Sequence, residues 1–281
     1  MHFRFVSMLA AAVEWRRQNF SPEEQSLMII RGLVFDAYGT LYDVQSVRSL
    51  AVKLCGDKGE LVTQLWRLKQ LEYTWLRGLM QDYQDFWSVT RASLEFALNS
   101  VGIAPSPSMC EPLMQKYLSL DLYPEAREAL DSLKSYKLAI LSNGSPQMLQ
   151  ALVKASGISH FLADVISVDL AKTYKPNAAA YALVGPSLGI AKRDTLFVSS
   201  NSFDVVGAKH FGFNVAWIER GGGPAVPANS DVTPFEFFKL LRGRAEAFEY
   251  QADFRIRALT DLPSLLGGSK VERAKAVTSR E

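Results

Sequence analysis

The chain has 281 residues, of which 48% are hydrophobic and 21% charged, and these values are ordinary for a globular protein. Its net charge of +2 leaves too little positive excess to predict a nucleic-acid-binding protein. No stretch reaches the roughly 18 consecutive apolar residues of a membrane-spanning helix, so we expect neither nucleic-acid nor membrane partners.

The two ends of the chain differ in composition from its middle. Residues 1–27 carry a short apolar run followed by charged residues, which is the wrong order for a secretory signal. They predict an N-terminal extension outside the fold, either an appended helix or a misassigned upstream start. Residues 268–281 are polar and predict a flexible tail. Cys55 and Cys110 form no CxxC pattern and are expected to be reduced thiols in a cytoplasmic protein.

Short apolar runs predict buried strands of a parallel sheet, because they are hydrophobic on both faces. These runs are residues 28–35, 137–142, 164–168, 195–200 and 214–219. Helical patterns separate the later runs and cover residues 145–156, 177–189 and 204–212. The first of these helices has Ser145 as its predicted cap and Pro146 at its first position. Alternating strands and helices predict an α/β fold with a parallel sheet.

The region between the first two predicted strands has a helical pattern instead. Apolar residues recur there at three- and four-residue steps, namely Leu61, Leu65, Leu68, Leu71, Trp75 and Leu79. Further helical patterns cover 86–98 and 109–118. We predict that residues 46–120 form a helical cap inserted into a core made of residues 28–45 and 121–267. Such a cap would cover the edge of the sheet where ligands bind in open α/β folds.

Polar side chains cluster where the predicted strands end. They are Asp36, Thr40, Ser142, Asn143, Lys175, Tyr181, Ser199, Asn201 and Asp204. Each has a plain structural alternative: Asp36 in a turn, Lys175 on the surface, or Asp204 as a helix cap. Because the carboxyl ends of parallel strands meet at one edge of the sheet, their combination predicts a functional site. The helix that follows Ser142 and Asn143 favours an anion at its N-terminus.

Four segments resemble a known family when they are read together. They are FDAYGTLYD (35–43), LAILSNGSP (138–146), YKP (174–176) and FVSSNSFDVVGAKHFGFNVAW (197–217). They resemble the haloacid dehalogenase superfamily, and closely its L-2-haloacid dehalogenases, in register from Val34 to Leu266. Residues 235–250 resemble an extra helical stretch found in some of these enzymes. The resemblance implies a Rossmann-like core with a helical cap, a homodimer, and hydrolysis of small (S)-2-haloalkanoic acids without metal or cofactor.

Two motifs separate this chain from the phosphatases of the same superfamily. Those enzymes begin with two aspartates and hold Mg²⁺ with acidic groups, whereas this chain has Tyr38 at the second position and Ser199 and Ser200 in the last motif. A halide leaves as a weak base and needs no proton donor, so the single Asp36 suits displacement at carbon. Two alternatives stay open: a phosphatase or phosphonatase, and a non-catalytic homologue that binds an anion.

The resemblance also implies a covalent mechanism. Asp36 attacks C2 of the substrate, expels halide with inversion and forms an aspartyl ester, which water hydrolyses to an (R)-2-hydroxyalkanoic acid. Lys175 is expected to favour the ionised form of Asp36, since it brings a positive charge next to the carboxylate. Whether Asp204 or Asn201 activates the water stays open.

The remaining roles follow from the resemblance as groups of residues. Ser142, Asn143 and neighbouring backbone N–H groups are expected to bind the substrate carboxylate. Residues expected to support the nucleophile, the water and the lysine are Thr40, Tyr181, Ser199, Asn201 and Asp204. The halide is expected to lie among Arg67, Asn143 and Phe203. The apolar side of the pocket is expected to consist of Tyr38, Leu71 and Phe86. Arg67 could instead be a solvated helix residue, and Tyr181 a packing residue.

Overall fold

The structure, a computed structural model, describes residues 29–220, 232–233, 236, 246 and 248–267. Its strands are β1 (Gly32–Phe35), β2 (Lys137–Ser142), β3 (Asp164–Ser167), β4 (Thr195–Ser199), β5 (Asn214–Ile218) and β6 (Phe254–Ile256). They form one sheet in the order β3-β2-β1-β4-β5-β6, and every neighbouring pair is parallel. The predicted parallel α/β fold is therefore confirmed, with its switch in strand order between β1 and β4.

The central strands form because they can be buried on both faces. Every residue of β1 and β4 is buried. Phe35, the last residue of β1, lies opposite Ile140 on β2 and Val198 on β4, so β1 ends one or two residues before its neighbours. The edge strand β6 was not predicted, because its three residues include the exposed Arg255 and carry no apolar run.

The first four α-helices follow β1 and precede the core helix that leads to β2. They are α1 (Arg48–Cys55), α2 (Gly59–Met80), α3 (Phe86–Ser100) and α4 (Pro107–Tyr117). A helical cap was predicted over this stretch, and these helices have a buried apolar interior of their own. The Trp66 indole N–H on α2 donates to the backbone oxygen of Thr90 on α3 over 2.8 Å, and the Trp66 ring lies 4.6 Å from the Tyr117 ring. Trp66 and Tyr117 are both buried, so these two contacts fix α2 against α3 and α4.

The chain passes from the sheet to the cap after β1 and returns to the sheet after α4, and these two passages lie side by side. The Asp43 N–H donates to the Asp121 oxygen over 2.8 Å, and the Tyr123 N–H donates to the Leu41 oxygen over 3.0 Å. This pairing joins the segment after β1 to the segment before the next core helix, close to the predicted boundaries at 45 and 121. The predicted extension 1–27, the predicted tail 268–281 and most of the predicted stretch 235–250 lie outside the described residues.

The core helices pack on the two faces of the sheet. They are α5 (Ala126–Ser132), α6 (Pro146–Ser156), α7 (Ala178–Ala182), α8 (Val184–Leu188), α9 (Ser202–Phe211) and α10 (Leu262–Gly267). The prediction of one continuous helix over 177–189 is wrong, because α7 and α8 are separate. Pro186 lacks the N–H that would bond to Ala182, which explains the break. Within the described ranges, no helix is both long and apolar enough to cross a membrane.

Candidate active site

Asp36 follows β1 directly, and its carboxylate accepts three hydrogen bonds from different parts of the fold. The Lys175 ammonium donates to Oδ1 over 3.0 Å, while the Asn201 amide and the Thr40 hydroxyl donate to Oδ2 over 2.7 and 3.2 Å. The Asp36 side chain is 8% exposed. All three partners are donors, so both oxygens of the Asp36 carboxylate are held in place by hydrogen bonds.

The turn after β1 is fixed by the loop after β4. The Ser200 N–H donates to the Thr40 hydroxyl over 2.9 Å, and the Ser200 hydroxyl donates to the Gly39 oxygen over 2.7 Å. Gly39 has a φ of +90°, which L residues with side chains rarely adopt. The turn therefore presents Thr40 to Asp36 at a fixed angle. The sequence pattern had assigned no role to Ser200.

Lys175 is a buried ammonium shared by two carboxylates. Its Nζ lies 3.0 Å from an Asp36 oxygen and 2.8 Å from an Asp204 oxygen. The backbone N–H of Lys175 donates to the Asn143 side-chain oxygen over 3.0 Å. Burial by itself lowers the pKa of Lys175, but the attraction of Asp204 and Asp36 outweighs it and raises the pKa overall. An unpaired ammonium would not be stable at this depth, so the two carboxylates are what keep this lysine charged.

Asp204 lies in the first turn of α9 and is almost fully buried. Its Oδ2 accepts from Lys175 and from the Ser199 hydroxyl over 3.1 Å, and its Oδ1 accepts from the Tyr181 hydroxyl over 2.8 Å. Burial raises the pKa of Asp204 to about 6, with Lys175 opposing the shift and the negative charge of Asp36 adding to it. Asp204 is therefore an anion at neutral pH that gains a proton just below it.

A narrow cavity adjoins Asp36. It is lined by Asp36, Tyr38, Arg67, Leu71, Phe86, Asn143, Lys175, Asn201 and Phe203. Its apolar lining consists of Leu71 and three aromatic residues, and two cations, Arg67 and Lys175, also line it. The structure thus places the Asp36 carboxylate beside a small space with both apolar and cationic walls.

Arg67 is 5% exposed, which rules out the alternative of a solvated helix residue. Its Nη1 donates to the Gln70 side-chain oxygen over 2.7 Å. None of the ion pairs among the described residues includes Arg67. A buried guanidinium that faces a cavity without a carboxylate partner favours an anionic ligand there.

Tyr38 occupies the position where a second acid would stand. Its ring lies 5.4 Å from the Phe86 ring and 6.1 Å from the Tyr117 ring. Burial raises the pKa of Tyr38 well above its ordinary value, so its phenol stays neutral. Among the described atoms its hydroxyl has no hydrogen-bond partner. In the described part of the chain, no cluster of three or more His, Cys, Asp or Glu side chains could hold a metal.

The structure places the predicted residues in three positions. Those bonded to Asp36, Lys175 or Asp204 are Thr40, Tyr181, Ser199, Asn201 and Asn143. Those lining the cavity without such a bond are Tyr38, Arg67, Leu71, Phe86 and Phe203. Ser142 belongs to neither group: it is fully buried, and its hydroxyl accepts the Gly144 N–H over 3.1 Å. Tyr181 is more than a packing residue, because its hydroxyl bonds to Asp204.

Two buried residues with polar contacts to this site carried no sequence signal. Gln70 and Thr90 lie on different helices and are both fully buried. A glutamine or threonine within a helical pattern is ordinary, so neither residue could be recognised before the packing of α2 on α3 was known.

Comparisons with known proteins agree on one family. A family model described as haloacid dehalogenase-like hydrolase matches residues 30–212. The chain is 46% identical over 243 residues to an (S)-2-haloacid dehalogenase of Xanthobacter autotrophicus, covering 85% of this chain and 96% of that protein. It is 39% identical to (S)-2-haloacid dehalogenase 2 of Pseudomonas sp. (strain CBS-3), covering 87% and 99% of the two chains.

A solved structure extends these comparisons to the fold. It is that of the L-2-haloacid dehalogenase from Xanthobacter autotrophicus with chloropropionic acid covalently bound. The TM-score is 0.79 at 45% sequence identity, and the match covers 85% of this chain and 99% of that one.

Proposed function

The chain belongs to the haloacid dehalogenase-like hydrolases, and from that premise we infer that it hydrolyses the carbon–halogen bond of small 2-haloacids. The observation that carries this inference is the Asp36 carboxylate, held by three donors beside a narrow cavity that the Arg67 guanidinium also lines. A nucleophilic anion and a site for a departing anion are the two groups that halide displacement needs.

In the first step, an Asp36 oxygen attacks C2 of the haloacid while the carbon–halogen bond breaks. The halogen leaves with the bonding electrons as halide, and an aspartyl ester forms. Attack from the side opposite the leaving group inverts C2, so an (S)-2-haloalkanoic acid gives an (R)-2-hydroxyalkanoic acid. Arg67, Asn143 and Phe203 line the cavity where the halide would be received. The neutral phenol of Tyr38 adds an aromatic wall and no charge.

In the second step, water attacks the carbonyl carbon of the Asp36 ester. The bond between that carbon and the ester oxygen breaks, and the 2-hydroxy acid leaves with the oxygen that Asp36 supplied. Asn201 has no group that accepts a proton at neutral pH, whereas Asp204 is an anion there. We therefore assign proton acceptance to Asp204, and orientation of the ester and water to Asn201.

The substrate carboxylate would lie at the start of α6. Asn143 lines the cavity, and backbone N–H groups near the N-terminus of α6 can donate to an anion. Ser142 would act through this turn, because its hydroxyl holds the Gly144 N–H.

Halide release tests this function directly. The purified chain should release chloride from (S)-2-chloropropionate, and Asp36→Asn should abolish the release while keeping the native circular dichroism spectrum. In a single turnover in ¹⁸O water with excess enzyme, the label should enter the Asp36 carboxylate. Label found only in the 2-hydroxy acid would contradict the ester intermediate. Phosphate release from phosphoesters with Mg²⁺, without any halide release, would contradict the dehalogenase itself.

We further propose that the chain forms a homodimer through the end of α2. Leu79 and Met80 are 83% and 63% exposed there, and Leu76 is 43% exposed. Exposed apolar residues this close together favour a protein contact. Light scattering after gel filtration should give twice the chain mass, and Leu79→Lys combined with Met80→Lys should give the monomer. A cytoplasmic location stays a prediction that rests on the free thiols of Cys55 and Cys110.

A further inference from the structure

Gln70 is a fully buried amide that lies one turn after Arg67 on α2. Its Oε1 accepts from the Arg67 Nη1 over 2.7 Å, and its Nε2 donates to the Thr90 hydroxyl over 2.7 Å. The Thr90 hydroxyl in turn donates to the backbone oxygen of Phe86 over 2.6 Å. A chain of short hydrogen bonds therefore joins the cation of the cavity to one of its apolar walls.

The orientation of the Gln70 amide is fixed from both of its ends. A guanidinium has only donors, so Gln70 must turn its oxygen toward Arg67. The Thr90 hydroxyl has a single proton and gives it to Phe86, so toward Gln70 it must act as an acceptor. Both conditions are met by one amide orientation, and reversing it would place donor against donor at Arg67.

We propose that Gln70, held by Thr90, is a positioning residue that aims the Arg67 guanidinium at the departing halide without neutralising its charge. This inference rests on the proposed function, since it explains why Arg67 lines the same cavity as Asp36. A glutamine satisfies one N–H of Arg67 and leaves its positive charge available to the cavity. A glutamate in the same place would form a buried ion pair with the guanidinium and reduce its attraction for halide.

An ordinary cross-link between two helices would show the same hydrogen bonds, so the test must separate the two roles. A cross-link affects every substrate alike. A residue that directs Arg67 affects chloride more than bromide, because chloride is the poorer leaving group and depends more on stabilisation of its charge. It also affects the binding of free halide, which involves no chemistry.

The experiment compares Gln70→Glu with the full-length wild-type chain on (S)-2-chloropropionate and (S)-2-bromopropionate. We expect kcat/KM for the chloro acid to fall about 10–100-fold, because the new carboxylate neutralises the guanidinium and weakens its charge-assisted contact with the departing halide, with a smaller fall for the bromo acid. The inhibition constant of chloride should rise by at least about tenfold.

The matched control is Gln64→Glu. Gln64 lies on the same helix, is 2% exposed, and donates to the Gln45 side-chain oxygen over 2.8 Å. It carries the same change of charge at a similar depth. We expect it to leave the ratio of chloro to bromo turnover and the chloride inhibition constant unchanged.

A second pair of variants covers the case in which Gln70→Glu does not fold. Thr90→Val removes the hydroxyl that accepts from the Gln70 amide over 2.7 Å and should raise the chloride inhibition constant, whereas Thr90→Ser keeps this hydroxyl and the wild-type constant. Equal losses on both substrates with an unchanged chloride constant would overturn the inference. A wild-type chain that releases no halide would instead refute the proposed function, and ³⁵Cl line broadening with both Gln70 forms would still test the link to Arg67.

Discussion

At the scale of single residues, Asp204 is the group of this site that changes its charge nearest to neutral pH. Its pKa of about 6 is above the ordinary value because burial disfavours the carboxylate. Above that pH the anion can hold Lys175 and accept the proton of the hydrolytic water, and below it the proton blocks both roles. The three groups Asp36, Lys175 and Asp204 share contacts, so the apparent pKa belongs to the cluster.

We therefore expect kcat to fall about tenfold per pH unit below an apparent pKa near 6. Asp204→Asn should remove this acid limb and slow hydrolysis of the ester more than its formation. Mass spectrometry during turnover should then show the chain carrying the covalently attached acid. A flat pH profile between 5 and 7 for the wild type would contradict the role given to Asp204.

Gly144 keeps Tyr38 at the wall of the cavity. A Cβ at position 144 would lie 3.0 Å from the Tyr38 hydroxyl and 2.8 Å from a Leu149 methyl group, so the ring of Tyr38 would have to move. We expect Gly144→Ala to raise KM for 2-chlorobutyrate about 10-fold more than for chloroacetate, since one methylene in a pocket is worth about 1–3 kcal/mol. Gly185→Ala is the control, because its nearest neighbour would be 3.9 Å away. Equal KM changes for both acids would contradict this prediction.

At the scale of elements, Arg220 joins the end of β5 to both passages between the sheet and the cap. Its Nη2 donates to the Thr40 oxygen over 2.7 Å, its Nη1 lies 2.8 Å from Glu125, and its guanidinium stacks 3.4 Å from the centre of the Tyr123 ring. Thr40, whose hydroxyl donates to Asp36, is thus held through its backbone oxygen by a residue 180 positions later in the chain. An arginine can stack on a ring and donate in two directions at once because its guanidinium is planar, whereas the compact ammonium of a lysine cannot.

Arg220→Met should lower the free energy of unfolding by about 1.5–3 kcal/mol, because hydrogen bonds to a charged group are lost. It should also lower kcat, since Thr40 loses its support. Arg255→Met is the matched control, because Arg255 is more exposed, pairs with Glu219 over 3.3 Å and lies 5.2 Å from the centre of the Trp217 ring, and should cost less than about 1 kcal/mol. Chemical denaturation and steady-state kinetics give both quantities. Arg220→Met with the stability of the control would refute this assignment.

At the scale of the whole molecule, the cap is fastened over the sheet beside the active site. The Tyr83 hydroxyl, in the turn between α2 and α3, donates to Asp169 over 2.7 Å, and the Tyr174 hydroxyl donates to the Gln84 oxygen. The Tyr174 ring lies 6.3 Å from the ring of Phe86, which lines the cavity. Because the cavity is enclosed by cap and core together, substrate must enter when these contacts open.

Tyr83→Phe should therefore shift the molecule toward the open form. We expect KM to rise about 3–10-fold with little change in kcat, because the binding-competent closed form becomes less populated. Tyr73→Phe is the control, because Tyr73 packs edge-on against Phe96 within the cap. A lower kcat with an unchanged KM would argue against this view of cap closure.

The sequence alone determined the features of this protein that depend on local patterns. Continuous apolar runs predicted five of the six strands of the described sheet, because a strand buried on both faces has apolar residues at successive positions. Apolar residues at three- and four-residue steps predicted the long helix α2, because a helix buried on one face repeats its apolar residues at that spacing. The motif around Asp36, with Tyr38 in the place of a second acid, indicated displacement of halide.

Only the tertiary structure decided how distant residues meet. Asp36 and Asn201 are 165 positions apart and share a hydrogen bond because the strand order places β1 beside β4. The contact of Gln70 with Thr90 depends on how α2 packs against α3. Such contacts are set by packing and leave no periodic pattern in the chain, so the partners of Arg67 and Arg220 became visible only once the fold was assembled.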